Sequence, residues 1–259
     1  MDLGISGRKA IVCASSRGLG RGCAFALAQA GCEVIINGRD SKALKATAEG
    51  LRQSTGAKVT AVPADVATPA GQAALLAACP EPDILVNNNA GPPFRDFREL
   101  ARAQMIEGVI ANMVVAIELT QKVIDSMCAK KFGRIVNITS GSVKMPLSGL
   151  DLSSGARAGL TAFLAGVARS VAASNVTINF LLPGAFDTER LASNMAMTAQ
   201  KRGISIDAAR NERMASVPAK RFGTPAEFGA ACAFLCSAQA GYITGQSLLI
   251  DGGVYPGVM

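Results

Sequence analysis

The residues with the clearest chemical promise stand near the start of the chain. Cys13–Ala14–Ser15–Ser16–Arg17–Gly18–Leu19–Gly20 places two glycines between a β-branched run and a helical pattern. Glycines at a strand-to-helix turn let the backbone bend tightly and approach a pyrophosphate. The helix amino terminus then offers free N–H groups and the positive end of its dipole. Ser15, Ser16, Arg17, Gly18, Leu19 and Gly20 are therefore candidate cofactor contacts. Arg17 lies in this turn, and Arg39 follows the second β-branched run in Asn37–Gly38–Arg39. An acid in that segment would pair with the ribose hydroxyls of NAD. Two cations with no acid in the segment favour a 2′-phosphate instead. The expected cofactor is NADP(H).

Other chemistries are removed by composition. Histidine is absent, which excludes His-based triads and imidazole acid–base schemes. The seven cysteines contain no CxxC pair, so reduced buried thiols are expected and no metal site. The formal charge of +7 comes from scattered basic residues without a stripe or aromatic interleaving, which argues against a nucleic-acid partner. Apolar runs such as Ile135–Val136–Asn137–Ile138 are too short to cross a membrane. The opening segment, Met1 to Lys9, lacks the apolar stretch of a secretion signal. A soluble cytoplasmic protein is the expectation.

The elements that must position the turn can be read in order. Strand patterns cover Lys9–Ala14, Glu33–Asn37, Lys58–Pro63, Ile84–Asn87, Arg134–Thr139, Val176–Leu182 and Ser247–Ile250. Helical patterns cover Leu19–Ala30, Lys42–Ser54, Pro69–Ala78, about Phe97–Ala129, Ser154–Ala173, Thr188–Ser216 and Pro225–Cys236. The strands lack two-residue alternation, as expected of a parallel sheet buried on both faces. Repeated strand–helix units predict a three-layer, doubly wound α/β Rossmann fold. With 259 residues and no linker, one domain is expected over 1–259. The segment at about 188–221 reads as a helical insertion that covers the substrate.

The chain resembles the short-chain dehydrogenase/reductase family, particularly 3-oxoacyl-acyl-carrier-protein reductases. Gly18 and Gly20 match its Thr-Gly-x-x-x-Gly-x-Gly motif, with Cys13 and Ala14 replacing the leading pair. Asp65–Val66 matches the pair after strand three, and Asn88–Asn89–Ala90–Gly91 matches the signature after strand four. Asn112 falls at the family's structural and catalytic asparagine. Pro183–Gly184, Thr188 and Asp251–Gly252–Gly253 match the remaining signatures. The resemblance runs from about Gly7 to Gly253. It implies that Asp65, Val66, Asn89, Ala90, Gly91, Pro183, Gly184 and Thr188 contact the cofactor, and that the chain forms a homodimer or homotetramer.

The same resemblance exposes a break in the catalytic set. The family has a serine after strand five, a tyrosine thirteen residues later and a lysine four beyond that. Here the positions hold Ser140, Ser153 and Arg157. A serine hydroxyl is a far weaker acid than a phenol. Arginine stays protonated and relays a proton poorly. Ser140 is expected to orient a substrate oxygen, and Arg157 to bind the cofactor ribose or support charge on an oxyanion. Water, Ser153 or a partly buried Asp151 would complete proton transfer.

Two classes of function stay open beside an atypical NADP(H)-dependent oxidoreductase acting on a carbonyl or alcohol. One is a dinucleotide-binding regulator or noncatalytic partner. The other is a lyase or isomerase on the same scaffold. The substrate is expected to be a small molecule shaped by Pro92–Pro93–Phe94 and the 188–221 segment. Arg95, Arg98 and Arg102 stand nearby as cations that would attract an acid.

Overall fold

The computed structural model describes residues 2–92 and 94–258. Met1 and Pro93, on which readings of the opening segment and the pocket fall in part, lie outside the described residues.

The β-branched runs form β1 (Lys9–Val12), β2 (Glu33–Gly38), β3 (Val59–Pro63), β4 (Ile84–Asn87), β5 (Gly133–Ile138), β6 (Val176–Pro183) and β7 (Ser247–Ile250). They pair in parallel in the order β3-β2-β1-β4-β5-β6-β7. Every residue of β4 and β5 is buried. That burial on both faces is why the sequence shows no polar alternation there. The chain winds from β1 towards β3, then restarts at β4 on the other side of β1. Loops leaving β1 and β4 therefore diverge, and their separation opens a crevice at the carboxyl end of the sheet.

Nine helices stand among the described residues: α1 (Gly18–Gln29), α2 (Ser41–Thr55), α3 (Pro69–Ala78), α4 (Arg102–Val109), α5 (Val115–Ala129), α6 (Asp151–Val171), α7 (Glu189–Arg202), α8 (Ile206–Ala215) and α9 (Pro225–Leu235). One apolar layer joins Val12 and Ile36 of the sheet to Leu27 of α1, Leu44 of α2 and Phe228 of α9. The other joins Ile11 and Leu85 to Leu75 of α3, Leu119 of α5 and Leu164 of α6. Adjacent residues Ile11 and Val12 thus feed opposite layers, as the pleat requires. The architecture is the expected three-layer, doubly wound α/β Rossmann fold.

Three local differences from the sequence reading bear on the site. First, β1 stops at Val12, because Ala14 turns out of the strand with φ +44°. Second, the stretch read as one helix from Phe97 to Ala129 is interrupted. A 3₁₀ turn (Phe97–Glu99) precedes α4, and a π turn (Ile110–Val114) separates α4 from α5. A π turn frees backbone carbonyls from the regular ladder. Here Asn89 Nδ2 donates to the carbonyl of Ala111 at 3.1 Å. Third, the polar stretch Thr188–Ser216 is two helices, divided at Gly203, whose φ of +65° ends α7 in the left-handed region.

The continuous segment Arg102–Ala129 also corrects the length argument made from short apolar runs. It is 28 residues long and contains an 18-residue stretch with a mean hydropathy of 1.3, long and apolar enough to cross a membrane by those measures alone. Its α5 part instead carries Val115, Leu119, Val123 and Met127 into the core.

Candidate active site

The turn after β1 is built by contacts that no larger side chain would permit. A Cβ on Gly20 would lie 2.4 Å from the carbonyl oxygen of Ala14 and 2.9 Å from Asn88 Nδ2. Asn88 Nδ2 donates to that same carbonyl at 3.1 Å, so the β4 end clamps the turn. Ser15 is fully buried and holds the turn from beneath, donating through Oγ to the Val12 carbonyl at 2.6 Å. Ser15 is therefore a scaffold of the turn and not part of the cavity wall. Arg17, the residue capping α1, gives no side-chain acceptor to the first N–H groups of the helix. Those donors remain available to a ligand anion.

A cavity of about 690 Å³ starts at this turn and follows the crevice. At one end it is lined by Ser16, Arg17, Gly18, Leu19, Gly20, Arg39, Asp65 and Val66. At the other end it reaches Asn89, Ala90, Ser140, Ser153, Arg157, Pro183, Gly184 and Thr188. The structure thus brings together sixteen of the residues singled out in the sequence, from seven separate stretches of chain. Arg17 is 2.7 Å from Glu189 and Arg39 is 3.9 Å from Asp65, so both cations of the first end already face carboxylates. Thr188 caps α7, accepting from the Leu191 N–H at 3.3 Å.

At the second end, Ser140 sits beside Ser142, a buried residue that was not singled out in the sequence. The Ser140 oxygen accepts from the Ser142 N–H at 3.1 Å and from the Ser142 hydroxyl at 2.9 Å. With its lone pairs so engaged, Ser140 is left with its own O–H to donate. Helix α6 places Ser153 and Arg157 one turn apart on the face towards the cavity.

Arg157 is held by neutral groups. Its Nε donates to Asn112 Oδ1 at 3.2 Å, and its Nη1 donates to the carbonyls of Ile138, at 3.2 Å, and Thr139. Asn112 lies in the π turn, buried, and its amide donates to the Gly108 carbonyl at 3.1 Å. Asn112 therefore holds Arg157 and does not itself line the cavity. Burial, and secondarily the charge of Arg190, hold the Arg157 guanidinium down to about 10, well below the ordinary arginine range. It stays cationic at neutral pH, as required of an electrostatic group.

Besides Ser15 and Asn112, two expected members are not brought into the cavity wall. Asp151 is the exposed first residue of α6 and lies outside the lining. The structure does not bring Asp151 to the cavity with Ser140, Ser153 and Arg157. Gly91 lies behind the wall, where a Cβ would meet Nη2 of Arg190 at 3.1 Å and Nη2 of Arg157 at 3.3 Å. Arg95, Arg98 and Arg102 are also outside the lining, and Arg98 pairs with Asp96 at 3.2 Å. Phe94 does line the cavity. Arg190 was missed in the sequence. Its only local signal is its place two residues after Thr188, because its neighbours come from a loop about a hundred positions away.

The thiols take no part in this chemistry. Cys13 and Cys32 are buried, and burial pushes both up to about 12, so neither supplies a thiolate at neutral pH.

Comparison with known proteins agrees with this arrangement. The family model described as enoyl-(acyl carrier protein) reductase matches residues 13–255. The 3-oxoacyl-[acyl-carrier-protein] reductase FabG of Escherichia coli is 32% identical over 257 residues, covering 98% of this chain and 99% of that one. The NADPH-dependent reductase BacG of Bacillus subtilis is 29% identical over 254 residues, covering 96% and 98%. The solved L-sorbose reductase of Gluconobacter frateurii, complexed with NADPH and L-sorbose, superposes with a TM-score of 0.94 at 27% identity, covering all of both chains. A match over nearly the full length, on a fold with the cavity at the same topological switch, places the chain plainly: it belongs to the short-chain dehydrogenase/reductase superfamily, as a relative of the 3-oxoacyl-[acyl-carrier-protein] reductases.

Proposed function

We propose that this chain is an NADP(H)-dependent oxidoreductase acting on a carbonyl or alcohol, with an active site in which Ser153 and Arg157 replace the family's tyrosine and lysine. The observation that carries the reading is the single cavity linking the open amino terminus of α1 to Ser140 and Arg157. Its residues fit the cofactor. The α1 N–H groups suit a pyrophosphate, and Arg17 and Arg39 suit a 2′-phosphate. Asp65 and Val66 border the same end, and Asn89, Ala90, Pro183, Gly184 and Thr188 border the nicotinamide end. A relative in the same superfamily was solved with NADPH, which supports the assignment.

Bound NADPH supplies a hydride to a carbonyl carbon. Ser140 donates its O–H to the substrate oxygen, its own oxygen already held by Ser142. Arg157 places a fixed cation near the charge that develops there, and its Nη2 has no protein acceptor among the described residues. Ser153, one turn earlier on α6, conducts a solvent proton to that oxygen. Helices α7 and α8 cover the substrate end, with Arg190, Asn194 and Arg213 facing the cavity. The serine at 153 favours one alternative, nucleotide binding without turnover.

The same reading makes the protein soluble and cytoplasmic, and a homodimer or homotetramer. Met105, Ile106 and Val109 on α4, with Phe163 on α6, are exposed apolar side chains that support a self-association face.

Incubation with NADPH deuterated at the transferable position and a broad set of ketones and aldehydes tests the proposal. Deuterium on the carbonyl carbon of an alcohol product is the expected result. Tight NADPH binding with no label transfer to any of them would leave the nontransforming alternative.

A further inference from the structure

The cavity is not electrically even. Five arginines and four carboxylates line it among the described residues. The carboxylates are all engaged. Asp40 caps α2 and lies 4.0 Å from Arg17, and Asp65 accepts from the Ala67 N–H and faces Arg39. Glu189 pairs with Arg17, and Asp251 accepts from the N–H groups of Gly253 and Tyr255. Arg17 and Arg39, at the glycine turn, are thereby balanced. Arg157, Arg190 and Arg213, at the opposite end, have no carboxylate within 4.0 Å among the described residues.

Two of these cations approach the same spot. Nη2 of Arg190 and Nη2 of Arg157 lie within 3.1 and 3.3 Å of one point above Gly91. Among the described residues, Arg190 reaches only the carbonyls of Gly91 and Pro92, both at 3.4 Å. Like charges this close repel, and each carries a desolvation cost that backbone carbonyls offset in part. An anion between them would remove the repulsion and complete both sets of hydrogen bonds.

We propose that the substrate is a short oxo acid, or the corresponding hydroxy acid, whose carboxylate is received by Arg190 beside Arg157. The spacing sets the class. Arg157 also bonds the carbonyl of Thr139, the residue before Ser140, so in the oxidoreductase reading a carboxylate received beside Arg157 lies one or two carbons from the reacting carbonyl. The rest of the wall, Phe94, Met145, Leu147, Leu150 and Val254, suits an apolar tail. This inference rests on the oxidoreductase reading for the position of the carbonyl, while the anion preference rests on the arginines alone.

The test titrates the wild-type protein with 2-oxopentanoate, 3-oxopentanoate and their methyl esters, with and without NADP⁺, by calorimetry. The same titrations follow for Arg190→Gln and Arg190→Lys, and NADPH affinity is measured for each protein. At least one acid is expected to bind about 10- to 100-fold tighter than its ester. Arg190→Gln is expected to erase that preference, with NADPH affinity unchanged within about twofold, and Arg190→Lys to restore part of it. No acid binding more tightly than its ester overturns the inference. So does an Arg190→Gln variant that weakens acid and ester equally, which would make Arg190 a strut for α7. An equal loss of NADPH affinity would assign Arg190 to the cofactor and also overturn it. If wild-type protein binds no NADPH, the oxidoreductase reading fails, while the acid-to-ester ratio without nucleotide still decides the anion site.

Discussion

Replacing Arg157 with methionine separates a catalytic role from a structural one. In the folded protein the guanidinium is held down to about 10, well below the ordinary arginine range, chiefly by burial and then by Arg190. At 1.36 kcal/mol for each tenfold change, the charged form carries at most about 3 kcal/mol of unfavourable free energy at neutral pH. Against this stand three hydrogen bonds, to Asn112, Ile138 and Thr139, worth about 0.5–1.5 kcal/mol each. The two sums are of the same size. Arg157→Met, which fills a similar volume, should therefore change stability by only about 1 kcal/mol in either direction, a few degrees in Tm for a chain of this length. Loss of the cation beside the developing oxyanion should lower kcat by about 100-fold or more. Urea unfolding and steady-state NADPH oxidation on the same preparation provide both numbers. A stability loss above about 4 kcal/mol would refute the reasoning, because Arg157 would then be a structural pin. The pH dependence follows with its sign. The native value lies below the unfolded one, so the stability penalty is complete below about pH 10 and is relieved as pH rises from there towards the ordinary arginine range. Activity that depends on the cation should fall on the same rise through about pH 10.

Other outcomes follow from contacts at the cofactor end. Glu189→Gln removes the carboxylate 2.7 Å from Arg17 and should tighten NADPH binding about two- to tenfold, with little change for NADH, as read by nucleotide fluorescence. Equal gains for both nucleotides would mean that the pair acts as a latch on α7 and not on phosphate recognition. Ala14→Gly relieves an alanine held at φ +44° and should stabilise the protein by about 0.5–1 kcal/mol in thermal unfolding, since the left-handed cost outweighs the added freedom of the unfolded chain. A decrease in Tm would show that the Ala14 methyl packs usefully.

Much of the frame was legible because it is locally encoded. β4 and β7 were read to the residue, and the other strands to within two residues, since β-branched runs between turns announce themselves. The glycine turn was found from its own residues, and Ser140, Ser153 and Arg157 from the positions that the family resemblance implies. Two features were not legible for one physical reason: they depend on partners distant in sequence. The π turn at Ile110–Val114 is supported by Asn89, twenty-two positions from the carbonyl it satisfies. Arg190 becomes a site residue only because α7 folds over the Gly91 loop. Asp151 looked well placed because it precedes Ser153 by two, yet a helix turns those residues to different faces. Ser142 was within reach, as a second hydroxyl two residues beyond Ser140 in a tight turn commonly bonds back to the first.

The assignment of NADP(H) to the cavity is tested most directly by titrating the purified protein with NADPH and then NADH, following nicotinamide fluorescence. Binding of NADPH at least about tenfold tighter than NADH, with the difference abolished in an Arg17→Ala and Arg39→Ala double variant, is the predicted result. Failure of both nucleotides to bind would contradict it.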